Sequence, residues 1–334
     1  MIVNTMSTTP RDTPPGTAQT VQAAQSAQSA QTVQTAQAVQ IAPTDQSVQA
    51  AQRVKTARLA LACLDLTSLN DADDAAAISA LCARASLGEA GTPAAVCVWP
   101  RFVAQARAAL PAGIRVAAVA NFPAGGLDAA AAVADARAIV DAGADEVDLV
   151  LPWRALRRGD AAGAAALVAA VRAACPGRTL KLILESGDLA TPALVRQACL
   201  IGLDAGVDFL KTSTGKTLTG ATPDAARVML QAIAAHPRGA QVGFKGSGGI
   251  RSVADAEVYI ALVREILGES ALTPQRLRFG ASGLLGDIET VLAGSGDGRS
   301  DGRSDGRSVS RSDSRSEGRS DSSSGGNAAS ASSY

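Results

Sequence analysis

Two lysines and an aspartate in this 334-residue chain occupy positions where charge is costly. Lys211 ends the short apolar run in "DFLKTSTGK" (208–216), Lys245 ends the one in "VGFKGSGGIR" (242–251), and Asp148 lies within "DEVDLVL" (145–151). Each run reads as a buried strand, where a charged group must be paired or used. Side chains alternate along a strand, so Lys211 shares a face with Phe209, Lys245 with Gly243, and Asp148 with Glu146 and Val150. If these faces converge, a poorly solvated lysine beside a second cation has its pKa pushed down. Its neutral amine can attack a carbonyl, and the resulting iminium draws electrons from the adjacent carbon without any metal or cofactor. Asp148 is then the candidate for proton transfer, directly or through water. The same residues could instead form an ordinary ion-pair cluster, with Lys211 and Lys245 neutralising Asp148 and Glu185. Spacing alone leaves both readings open.

The elements that must position these groups recur along the chain. Apolar runs at 59–66, 94–99, 114–121, 145–151, 179–186, 207–213, 240–246 and 277–282 alternate with Ala-rich stretches of helical length. Helix starts are marked, as by Asp71 before 72–86 and Thr222-Pro223 before 223–235. Eight such units predict an α/β protein folded as a (β/α)8 TIM barrel, which takes about 250 residues. The alternative, a doubly wound sheet, would show a glycine fingerprint after an early strand, and none is evident. Barrel chemistry collects at the C-terminal strand ends, which here carry Asp65, Cys97, Asn121, Asp148, Glu185, Lys211, Lys245 and Ser282. Cys97 there reads as a small buried hydrophobe. "GSGGIR" (246–251) and "GASGLL" (280–285) follow runs seven and eight and can offer backbone N–H groups to a phosphate, with Thr214 and Lys216 adding side chains.

Three zones follow: an Ala/Gln-rich extension over 1–57, the barrel over 58–293, and an Arg/Ser/Asp/Gly-rich tail over 294–334. Neither extension has large apolar anchors, so both are expected to be disordered. In the tail an arginine recurs every four residues from Arg299 to Arg319, but matching acids cancel its field. With 31 basic and 31 acidic residues, no nucleic-acid or anionic-membrane surface is expected. One histidine, His236, argues against a histidine-based metal centre, and five scattered cysteines read as reduced thiols in a cytoplasmic protein. No stretch is long enough to span a membrane, and no secretion signal is apparent. The oligomeric state is left open, a homodimer included.

"LDLTSLN", "GADEVDLVLPWRAL", "LKLILESG", "DFLKTSTGK", "VGFKGSGGIR" and "RFGASGLL" together resemble the deoxyribose-phosphate aldolase family, in order, over nearly all of 59–293. The resemblance implies a metal-independent class I aldolase that cleaves 2-deoxy-D-ribose 5-phosphate to acetaldehyde and D-glyceraldehyde 3-phosphate. It makes Lys211 the Schiff-base lysine, Lys245 the lysine that lowers its pKa, and Asp148 the proton-transfer residue. It puts Asp65 at the mouth in support and Thr214, Gly215, Lys216, Gly248, Gly249 and Ser282 at phosphate-contacting positions. Gly283 stands where some relatives have a second serine, and Gly246-Ser247 where many have Pro-Ala or Ala-Ser, so an altered phosphate affinity with an intact reaction is expected. The chain ends in "SASSY", like relatives whose terminal tyrosine assists proton transfer, which makes Tyr334 a candidate relay across a long linker. A transaldolase-like Schiff-base barrel and an inactive barrel scaffold are the competing readings.

Overall fold

Eight parallel strands close into a barrel in strict sequence order, β1 pairing with both β2 and β8. They are β1 Leu64–Thr67, β2 Ala95–Val98, β3 Arg115–Ala120, β4 Glu146–Val150, β5 Thr179–Ile183, β6 Phe209–Lys211, β7 Gly243–Ser247 and β8 Leu277–Ala281. The helices are α1 Asp45–Ala62, α2 Ala75–Ser86, α3 Val103–Ala109, α4 Ala129–Asp141, α5 Trp153–Arg157, α6 Ala161–Ala174, α7 Ser186–Leu189, α8 Pro192–Ala205, α9 Pro223–Ala235, α10 Val253–Leu267 and α11 Leu284–Ala293. The expected (β/α)8 barrel is therefore the fold. The structure, a computed structural model, describes residues 45–86 and 91–294. Tyr334, the arginine repeat and the Ala/Gln stretch up to residue 44 lie outside the described residues.

Period-2 alternation divides the strand side chains into two environments. Outward residues such as Leu66, Val96, Val116, Val147, Leu180, Leu182 and Phe244 join the helices in one continuous apolar layer. Helix starts follow local chemistry: Thr191 accepts from Leu194 N–H and Thr222 from Ala225 N–H, each followed by a proline. Ser252 and Asp255 form a reciprocal capping box at the start of α10.

The N-terminal boundary differs from the sequence expectation. Helix α1 occupies 45–57, assigned to the disordered extension, and 59–62, assigned to the first strand. Thr56, Ala57, Ala60 and Leu61 are its buried residues, a helical spacing that an Ala/Leu run satisfies as readily as a strand pattern. Only Leu64–Thr67 remains extended. Among the described residues, no helix is long and apolar enough to cross a membrane.

Candidate active site

A TIM-barrel interior is ordinarily packed with branched aliphatic residues. Here seven ionisable side chains fill it: Asp65 from β1, Glu146 and Asp148 from β4, Lys181 from β5, Lys211 from β6, Lys245 from β7 and Arg278 from β8, all buried. Asp148 is the hub. Its Oδ1 accepts from Lys181 Nζ at 2.7 Å, and its Oδ2 from Lys211 Nζ at 2.9 Å and Lys245 Nζ at 2.8 Å. Lys245 also reaches Asp65 at 2.5 Å, and Lys181 reaches Glu146 at 2.5 Å and Asp65 at 3.3 Å. Arg278 closes the set by donating to Asp65 and Glu146. Inward glycines make room: a Cβ at Gly280 would lie 3.0 Å from Lys245 Cε, and one at Gly243 would run into the Phe209 ring.

Four buried basic groups thus face three carboxylates, with the half-exposed Arg115 also reaching Glu146 at 3.7 Å from outside the layer, and the partners are shared unequally. Lys181 has three acids, Lys245 and Arg278 two each, and Lys211 only an oxygen of Asp148 that Lys245 also uses. The proton affinities follow. Burial pulls Lys181 and Lys245 down, but their carboxylates outweigh it and hold both above the ordinary lysine value. At Lys211 burial wins: Asp148 alone opposes it strongly, Lys245 adds repulsion, and the pKa falls below the usual 10.5. Burial raises Asp148 and Asp65, but the surrounding cations more than reverse this and keep both below the normal carboxylate range. A neutral Lys211 leaves three cations against three anions.

Lys211, Lys245 and Asp148 therefore meet as the sequence suggested, with desolvation ahead of Lys245 as the largest cause of the Lys211 shift. Lys181, Glu146 and Arg278 complete the cluster without having been singled out. Their signal was available, because an ionisable residue flanked by apolar ones in "TLKLI" or "LRFGA" carries the same conflict as Lys211. Asp65 joins the charged layer, with one oxygen accepting from Lys245 and the other from Arg278. Among the described residues Glu185 pairs with neither Lys211 nor Lys245. It follows the end of β5 and accepts from the loop after β6.

The opposite side of the interior is apolar. Leu69, Cys97, Ala117 and Val119 form a small cluster with Trp99 and Phe122 packed against it. Cys97 feels the charges of Asp148, Lys245 and Lys211, which puts this wall beside the amines, and burial raises its thiol pKa. It offers hydrocarbon and one protonated thiol to whatever binds at Lys211.

Loops from β6, β7 and β8 frame a second region. Gly215, Gly248 and Gly249 have φ of 73°, 84° and 88°, a region that favours glycine. Thr214 gives both its N–H and its hydroxyl to Glu185, so it is committed within the protein rather than open to a ligand. The start of α10 is also committed: Asp255 takes the N–H groups of Arg251 and Ser252, and Asp287 takes that of Val253. The groups still open to an anion lie at Gly248–Gly249 and at the start of α11, where Gly283 is the N-cap and the Ser282 hydroxyl is buried without a partner among the described residues.

Comparison with known proteins agrees with this geometry. A profile of the DeoC/LacD family aldolases matches residues 59–282. The chain is 50% identical over 220 residues to a deoxyribose-phosphate aldolase of Agrobacterium fabrum strain C58, an alignment covering 65% of this chain and 84% of that protein. Among solved structures, a candidate deoxyribose-phosphate aldolase from Toxoplasma gondii ME49 aligns with TM-score 0.68 at 24% identity, over 74% of this chain and 97% of that one. The deoxyribose phosphate aldolase of Aeropyrum pernix, described as a unique tetramer, aligns with TM-score 0.55 at 21% identity, over 76% and 99%; at such identities the likeness concerns the fold. With the family profile spanning most of the barrel and a half-identical relative matched over most of its length, the chain belongs to the DeoC/LacD family of aldolases.

Proposed function

We propose that the protein is a class I aldolase that reversibly cleaves 2-deoxy-D-ribose 5-phosphate to acetaldehyde and D-glyceraldehyde 3-phosphate through a Schiff base on Lys211. One observation carries this reading: of the four buried basic groups, Lys211 has the fewest carboxylate partners and is the only lysine with a lowered pKa. A neutral amine in a closed barrel is a nucleophile for the C1 aldehyde. Attack and loss of water give an iminium, which puts a fourth cation against three carboxylates. Breaking the C2–C3 bond sends its electrons into the iminium, leaves a neutral enamine and restores the balance. The charged layer therefore favours the bond-breaking step over the resting iminium. The C3 hydroxyl proton leaves as that bond breaks, and a proton is returned to C2 of the enamine. Asp148, in contact with Lys211, is placed to pass both through water. Hydrolysis then frees acetaldehyde. Lys245 holds Asp148 ionised, and Asp65 holds Lys245.

The apolar wall of Leu69, Cys97, Ala117 and Val119 favours acetaldehyde over the polyhydroxylated donor of a transaldolase, whose hydroxyls would lose their hydrogen bonds there. Gly248, Gly249, Ser282 and Gly283, with Gly215 and Lys216, are the groups proposed to take the 5-phosphate. Five free buried cysteines fit a reducing cytoplasm, and a homodimer is the simplest assembly to test.

The test is reduction with borohydride in the presence of deoxyribose 5-phosphate, with acetaldehyde release followed in parallel. A two-carbon mass gain confined to Lys211 is expected. Acetaldehyde release with no adduct, or an adduct on Lys245, overturns the assignment; neither product nor adduct leaves a barrel that is only a scaffold.

A further inference from the structure

Glu185 has a backbone conformation that its residue type does not favour. Its φ is 57° and ψ 55°, the left-handed region, and it is fully buried. A glycine would take that conformation freely, whereas a glutamate there is retained when the surroundings over-determine it. The surroundings are the loop between β6 and α9. Glu185 Oε1 accepts from Thr214 N–H at 3.2 Å and from the Thr217 hydroxyl at 3.2 Å, and Oε2 accepts from the Thr214 hydroxyl at 2.7 Å. Thr214 Oγ1 in turn accepts from Lys216 N–H at 3.0 Å. Backbone contacts extend the hold. A Cβ on Gly187 would stand 2.5 Å from Thr219 O, and one on Gly220 2.5 Å from Gly248 O, so α7, this loop and the glycine turn after β7 are in direct contact. Ala221 N–H also donates to Ser247 O and Gly248 O.

We propose that Glu185 is a positioning residue: a clamp that fixes the β6–α9 loop against Gly248, so that Gly215, Lys216 and the glycine turn meet the substrate phosphate as one preformed surface. This rests on the substrate reading above. Glu185 contacts neither Lys211 nor Asp148 by its side chain, so its effect belongs to phosphate recognition rather than to the Schiff base. In Glu185→Gln an NH2 group replaces one acceptor, which breaks at least one of the three side-chain bonds and loosens the loop.

The experiment compares kcat/KM for deoxyribose 5-phosphate and for unphosphorylated deoxyribose in the wild type, Glu185→Gln and Thr217→Val. The wild type should prefer the phosphorylated sugar. Glu185→Gln should lower that preference about tenfold, chiefly through KM, and Thr217→Val should lower it by less. The double variant should fall short of the product of the two single losses, because both act on one hydrogen-bonded unit. Borohydride labelling of Lys211 by acetaldehyde shows that a variant is folded, and Thr217→Val provides the test if Glu185→Gln is not. Loss on both sugars by the same factor, with the preference intact, makes Glu185 merely structural and overturns the clamp alone. A wild type that cleaves deoxyribose without favouring its phosphate overturns the substrate reading and the clamp with it.

Discussion

In the proposed mechanism Lys181 takes no covalent part, yet its removal should disable Lys211. Lys181→Met leaves Lys211, Lys245 and Arg278 facing Asp65, Glu146 and Asp148, three against three, so Lys211 is now needed as a cation. Lys181 and Lys211 sit on opposite oxygens of one carboxylate, at 2.7 and 2.9 Å, an arrangement that sets their nitrogens on the order of 6 Å apart. At an effective dielectric constant of about 20, one unit charge at that distance is worth about 2.8 kcal/mol, about two pKa units. The acid limb of the kcat/KM profile should therefore move up by about two units, so that activity at a pH on that limb falls by up to about a hundredfold and returns at high pH. Glu146→Gln on top of Lys181→Met removes one anion as well, so a neutral Lys211 again balances the layer and the limb should move back. The assay is a pH–rate profile of the wild type and both variants, with borohydride labelling at each pH. An unmoved limb in Lys181→Met, or no return in the double variant, refutes the charge-balance reasoning and leaves Lys181 as a packing residue. A fall in Tm is expected in the single variant either way, since breaking a buried pair costs about 3–5 kcal/mol.

Three further outcomes follow from the same geometry. Lys211→Arg keeps the charge but removes the nucleophile: labelling should vanish and kcat should fall by at least about 10³-fold, and retention of an adduct would point to another amine. Asp65 and Asp148 have folded values below the ordinary 3.8, so the stability they give is present above that value and lost as pH falls through their lowered values. If the Schiff base needs an unprotonated Lys211, activity should disappear on acidification before the circular dichroism changes; coincident loss would contradict this order. At Gly283, φ is −81° and an added Cβ meets nothing within 4 Å, so Gly283→Ser fits without strain. A hydroxyl at that N-cap should lower KM for the phosphorylated sugar about two- to fivefold and leave KM for deoxyribose as it was.

What could be read from the sequence, and what could not, has a single physical origin. Lys211, Lys245 and Asp148 were legible because a charge in an apolar run contradicts burial, and a contradiction of that kind needs no coordinates. Strand parity then carries the reading further, but only while the strand continues. Parity from Lys181 through Ile183 would aim Glu185 into the barrel, where it would meet the lysines. β5 ends at Ile183 and Glu185 turns left-handed, so its carboxylate turns to Thr214 instead. The same limit misplaced the start of the barrel: the Ala/Leu run at 59–62 fits a helix or a strand, and burial of Thr56, Ala57, Ala60 and Leu61 decides for the helix. That Asp65 meets Lys245 and Arg278 depends on how β1 registers against Gly280 of β8, which no single apolar run displays. Register is a property of the closed barrel rather than of any one segment. The excess of one cation over the carboxylates is therefore invisible in each segment, and it exists only once five strands from β4 to β8, together with β1, bring their inward residues to one level. The lowered pKa of Lys211 has the same origin: burial between closed strands is its largest cause, and Lys245 adds repulsion that Asp148 opposes.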